Sequence, residues 1–105
     1  MKTFYHGTSL ENKNSILSSG LVKSMLSYGI HGEIPPCVFL CGSKGEAYLW
    51  AEHSNLKNND EGMLVLKVTI PESWKVYDDP AQKDGWFGTY FVRHNIPPRM
   101  IEVQP

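Results

Sequence analysis

The four consecutive residues Tyr5-His6-Gly7-Thr8 bring together the groups in this sequence best suited to chemistry. An imidazole donates or accepts a hydrogen bond near neutral pH. A glycine beside it leaves the main chain open to a ligand, and a hydroxyl follows. The same residues also have a purely architectural use, with His6 closing a strand and Thr8 capping a helix, and residue types alone leave both readings open. The other candidates are weaker. His6, His31, His53 and His94 include no pair at the i, i+4 spacing of a helical zinc site, and no metal site is expected. No Gly-x-Ser-x-Gly elbow, phosphate loop or dinucleotide glycine fingerprint occurs. Asp78, Asp79 and Asp84 read as a solvated turn. Cys37 and Cys41 stand four apart on an expected strand, roughly 13 Å between Cα atoms, too far for a disulfide. They read as reduced, partly buried thiols.

The elements that must position His6 follow from periodicity and punctuation. Lys2–His6 reads as a strand that Gly7 ends. Thr8 with Glu11, and Ser9 with Asn12, have capping spacing, so a helix is expected from there to Gly20, with Leu10, Ile16 and Leu17 as its buried stripe. From Leu21 to Pro36 there is little periodicity, and a long loop is expected. Cys37–Cys41 is an apolar run bounded by proline and glycine, the pattern of a buried strand. Ser43 with Glu46 repeats the capping spacing and opens a helix to about Leu56. Met63–Ile70 is a strand stopped by Pro71, and Ser73–Tyr77 a short one. After a polar stretch from Asp78 to Gly85, Trp86–Val92 and Met100–Val103 complete the strands. Strands dominate, and two short helices lie in the first half. That order is α+β and not a doubly wound sheet.

Composition narrows the classes further. The 105 residues fit one domain spanning 1–105. Ten basic against eleven acidic residues give no electrostatic footprint for duplex nucleic acid, although a local basic patch is compatible with that balance. No stretch approaches the ~20 apolar residues of a membrane span, and Met1-Lys2-Thr3-Phe4 lacks a signal-peptide core. The expected setting is the cytoplasm, with no membrane partner.

Taken in order, these segments resemble the ADP-ribosyltransferase fold that binds NAD, the fold of poly(ADP-ribose) polymerases, DNA-modifying toxins and RNA 2′-phosphotransferases. The resemblance rests on Tyr5-His6-Gly7-Thr8, Ser15-Ile16-Leu17 and Gly20-Leu21, then Val38-Phe39-Leu40 before a helix with Ala47, Tyr48 and Trp50. Leu64–Val68 follows, and Gly88-Thr89-Tyr90-Phe91-Val92 with Ile96-Pro97-Pro98 and Ile101 looks like the phosphotransferase ending. It implies a split β-sheet core with NAD as substrate and transfer of ADP-ribose to a nucleic-acid, protein or phosphate acceptor.

By the same resemblance, His6 would meet the adenosine ribose hydroxyl, main-chain groups of Gly7 the nicotinamide amide, and Thr8 would support them. Phe39 stands where a tyrosine is frequent. Tyr48 would pack near the nicotinamide, whereas Trp50 fits the core better. Two departures matter. Thr89 aligns with the glutamate that supports the transition state in polymerase-type members, and threonine supplies no such charge. The arginine usual before the long strand is replaced within Asn59-Asp60-Glu61-Gly62-Met63, and Arg93 and Arg99 are the only arginines. Glu33, Glu46 and Glu102 are stand-in carboxylates only if they are not surface or capping residues. These departures give weight to an alternative, a non-catalytic module that binds NAD or ADP-ribose. An acceptor surface would have to come from Leu21–Pro36 or Asp78–Gly85.

Overall fold

The computed structural model describes residues 1–28, 32–58, 62–78 and 89–104. Its strands are β1 (Lys2–Ser9), β2 (Ser24–Tyr28), β3 (Gly32–Cys41), β4 (Met63–Ile70), β5 (Tyr77–Asp78), β6 (Thr89–Val92) and β7 (Ile101–Gln104). The helices are α1 (Lys13–Ser19) and α2 (Lys44–Asn58), with single 3₁₀ turns at Leu10–Asn12 and Pro98–Met100. The order across the sheet is β5-β6-β3-β1-β4-β7, every pairing is antiparallel, and β2 pairs with β3 beside that path. The α+β class and the two helices in the first half agree with the sequence reading.

Alternation along the strands divides the core between the two faces of the sheet. Leu64, Leu66, Val68 and Ile70 of β4 join Val38 and Leu40 of β3 and Val92 of β6 in the larger cluster, which Ile16 of α1 covers with Leu21 and Ile96. The opposite face carries Cys41 and Val65 beneath Ala47 and Ala51 of α2. Ser43 Oγ accepts the Glu46 N–H at 3.2 Å, so the capping spacing in this segment does start α2.

α1 starts differently from the expectation. β1 continues through Ser9, and Thr8 lies inside the strand, where its Oγ1 accepts from Asn12 Nδ2 at 2.9 Å. Pairing of Gly7, Thr8 and Ser9 with Val65, Leu64 and Met63 satisfies their backbone better than an early helix would. Ile16 is buried as expected, but Leu17 is exposed because seven helical residues present only a narrow stripe, and Leu10 is exposed in the 3₁₀ turn ahead of the helix.

The stretch 21–36 is a second correction. In place of a loop it holds β2 and the first half of β3, paired as Leu26↔Ile34 and Tyr28↔Gly32. The register shifts between Ser24↔Cys37 and Leu26↔Ile34, leaving one extra residue on β3 where Pro35 and Pro36 stand. Prolines donate nothing to a ladder and are accommodated at such a bulge. Of the later elements, β5 is shorter than Ser73–Tyr77 and starts at its end. Asp78, expected to open an exposed polar stretch to Gly85 as part of a solvated turn, instead pairs with Tyr90 as the end of β5. Residues 79–85, together with 86–88, expected in a strand, lie outside the described residues.

Two glycines set close approaches. Gly20 ends α1 at φ 79°, a conformation L side chains avoid, and a Cβ there would stand 2.0 Å from the Ile96 carbonyl oxygen. The Leu21 and Ile96 backbones bond reciprocally at 2.9 and 2.8 Å just beyond it. A Cβ on Gly7 would lie 1.8 Å from the Ala47 carbonyl oxygen and 2.9 Å from the Ala51 nitrogen. The clashing atoms are helix backbone, which has no rotamer to yield. Gly7→Ala is therefore expected to destabilise the fold by about 3 kcal/mol, lowering Tm by more than ~10 °C in a thermal melt.

Candidate functional site

β1 and β3 are neighbours in the sheet, yet Tyr5↔Cys41 is the one residue pair that joins them. Past that pair the strands part. The Phe39 carbonyl, which a continuous ladder would satisfy from β1 backbone, instead meets the His6 ring, with Nδ1 at 2.7 Å from its oxygen. A carbonyl only accepts, so Nδ1 carries the proton and Nε2 is left as an acceptor. Burial pushes the His6 pKa below its ordinary value, and the Phe39 bond opposes that shift only in part. The imidazole is neutral at pH 7, in a defined tautomer.

The opening between the strands is a cleft of about 400 Å³, a size suited to small-molecule recognition. His6 and Thr8 line it from β1, Phe39 with Val38 and Cys37 from β3, and Asn12, Ser15 and Ile16 from the turn and helix that follow β1. Gly20, Leu21 and Val22 close the end. Among the described residues its lining holds hydroxyl, amide and imidazole groups but no formal charge.

The expected site residues fare unequally. His6, Thr8 and Phe39 come together at the cleft. Gly7 is not among the residues that line the cleft, and the space beside its Cα is filled by α2 backbone. Tyr48 is 48% exposed on α2 and is not part of the cleft lining. α2 lies over β1 and β4 on the face that carries Cys41 and Val65, whereas His6 shares its face of β1 with Phe4, which packs in the larger cluster. Thr89 opens β6 opposite Cys41, at the closed end of the β1–β3 gap. Trp50 packs with Ala47 and Ala51, the core role expected of it.

Three contributors escaped the sequence reading. Asn12 and Ser15 reach the cleft because β1 runs three residues longer and the chain then turns tightly back. Only the pairing of β1 with β4 reveals that. Phe39 contributes its main-chain oxygen, and a backbone group has no sequence signature.

The remaining reactive side chains are quiescent. Cys37 and Cys41 are buried free thiols, and burial together with the Glu46 carboxylate raises Cys41 to about 12. A thiol that resists ionisation is no nucleophile. Among the described residues no three His, Cys, Asp or Glu side chains group as metal ligands. His31 lies outside the described residues. A second hollow of about 380 Å³ runs along β4 and β7 and mixes Lys67 and Arg99 with Glu102. Also among the described residues, no helix is long and apolar enough to cross a membrane.

No family model, curated protein or solved structure matches this chain. Its function must therefore be argued from the cleft itself.

The His6 environment has a direct pH consequence. Folding lowers the pKa below the unfolded value near 6.5, so the unfolded chain binds the proton more readily and stability falls as pH drops below that value. Urea unfolding between pH 7 and 5 should show a steeper acid loss for the wild type than for His6→Gln. Nitrogen-15 NMR at pH 7 should show a neutral ring protonated on Nδ1.

Proposed function

We propose that the β1–β3 cleft binds NAD and that the protein is a small ADP-ribosyltransferase-like enzyme. The observation that carries this reading is the parting of the two central strands around a tautomerically fixed imidazole. His6 Nε2, held by the Nδ1–Phe39 bond, accepts a hydrogen bond from a ribose hydroxyl. A neutral ring suits this role, since an imidazolium would offer only donors. Thr8 and Asn12 supply a bonded hydroxyl–amide pair at the same wall, and Ile16, Leu21 and Val38 add apolar lining beside it.

In the transfer, the bond from C1′ of the ribose to the nicotinamide nitrogen breaks and its electron pair leaves with nicotinamide. The acceptor's nucleophile then bonds to C1′ and releases its proton to water. Fixed dipoles and positioning, not a covalent intermediate on the chain, would lower the barrier. The acceptor is a nucleic acid, a protein or a phosphate group, and the reaction would take place in the cytoplasm.

One specific observation favours a second reading. No carboxylate lines the cleft among the described residues, and Thr89 occupies the position where the resemblance implies a glutamate. A module that holds NAD or ADP-ribose without turnover needs only the wall around His6.

Calorimetry with NAD and with ADP-ribose, run beside a nicotinamide-release assay, tests both. Saturable binding is expected, weakened at least about tenfold in His6→Ala because a ligand hydroxyl and the Phe39 carbonyl both lose a partner. Nicotinamide release supports the enzyme, and binding without release supports the module. Folded wild-type protein that produces no heat with millimolar NAD or ADP-ribose would eliminate both readings.

A further inference from the structure

Among the described residues β5 is the outermost strand on its side of the sheet, and its neighbourhood gathers rings and cations that mostly lie outside the cleft. A row of rings crosses β3, β6 and β5. Phe39 and Phe91 have centroids 6.0 Å apart, and Phe91 stacks on Tyr77 at 5.0 Å and 9°. The Tyr77 ring then carries two cations, with Lys75 Nζ at 4.9 Å and Arg93 Cζ at 4.8 Å from its centroid. Beside them His94 stacks on Trp74 at 4.3 Å and 16°. Lys75, Arg93 and His94 are all exposed.

Two like charges on one ring repel each other. The ring's quadrupole holds each by only about 0.5–1 kcal/mol at an exposed position. Among the described residues neither cation has a carboxylate partner. Glu72, close by in sequence, is paired with the N-terminal ammonium at 2.9 Å, and Lys2 adds another positive charge where its Nζ meets the Trp74 carbonyl. Among the described residues the two cations are thus not ion-paired, and the one carboxylate on β5 itself, the exposed Asp78, leaves them in excess at this edge. The exposed His94 ring, backed by Trp74, and the planar Arg93 guanidinium are in addition flat surfaces of the kind on which bases stack.

From this juxtaposition we propose that the β5–β6 edge is a docking surface for single-stranded nucleic acid, phosphates lying against Lys75 and Arg93 and a base on His94. An acidic peptide would use the cations but leave the stacked imidazole without a planar partner. A duplex buries its base faces and calls for a broad basic surface, which a chain of net charge −1 does not provide. The surface stands whether or not the cleft takes NAD.

Fluorescence anisotropy with short labelled oligo(dT) and oligo(U) tests the proposal, and the two arms separate DNA from RNA. The wild type should bind at least one of them, with affinity falling as salt rises. The exposed double variant Lys75→Gln/Arg93→Gln should lose at least about tenfold in affinity and reduce the log–log salt slope by about 1.4. His94→Ala should lose about fivefold or more, while Lys44→Gln on α2 should bind as the wild type does. Circular dichroism confirms that each variant is folded. No binding by the wild type, undiminished binding by the double variant, or equally tight binding of heparin or of a duplex would overturn the proposal.

Discussion

The approach of α2 to β1 at Gly7 is the contact on which the rest of the arrangement depends. With no side chain at position 7, and only methyl groups at Ala47 and Ala51, helix backbone rests directly on strand backbone. Dispersion between surfaces that close is dense and unforgiving, since interiors pack like crystals. Nothing larger than hydrogen fits at Gly7. β1 is thereby held on one face by α2 and along one edge by eight register pairs with β4.

That anchoring allows β1 to leave β3 after a single pair. A strand released from one neighbour exposes amides and carbonyls, and burial of an unpaired carbonyl costs about 1–3 kcal/mol. The His6 side chain meets this demand by donating to the Phe39 oxygen. The imidazole is thus a structural bridge across the gap and, through its other nitrogen, a recognition group within it. The two readings that residue types left open for His6 are two ends of one ring.

Charge is distributed unevenly over the molecule. The cleft wall is neutral, with its histidine deprotonated by burial, whereas cations collect at the β5–β6 edge around Tyr77. A near-zero net charge conceals this separation, because it averages over faces that never meet the same ligand. Phe39 connects the two regions, presenting its carbonyl to His6 at the cleft and tilting its ring against Phe91.

Local signals in the sequence were sufficient for β4, whose bounds Met63–Ile70 follow from hydrophobic pattern and Pro71, and for the start of α2, where Ser43 caps Glu46. They also singled out His6. Each of these depends on residues adjacent in the chain, and propensity or capping decides them within a few positions. Thr8 had the same capping signal as Ser43 but became strand, since pairing with β4 outweighed a local turn. The proline pair suggested a loop but sits in a bulge, because β2 supplies a partner only from across a hairpin. Gly7 was read as leaving the main chain open to a ligand, whereas the group that stands beside its Cα is a helix forty residues onward, a long-range fact. The sequence alone determined which residues carry hydrogen-bonding chemistry. Tertiary structure decided which of them share a cleft, because strand pairing and helix packing join positions whose separation along the chain carries no record of their contact.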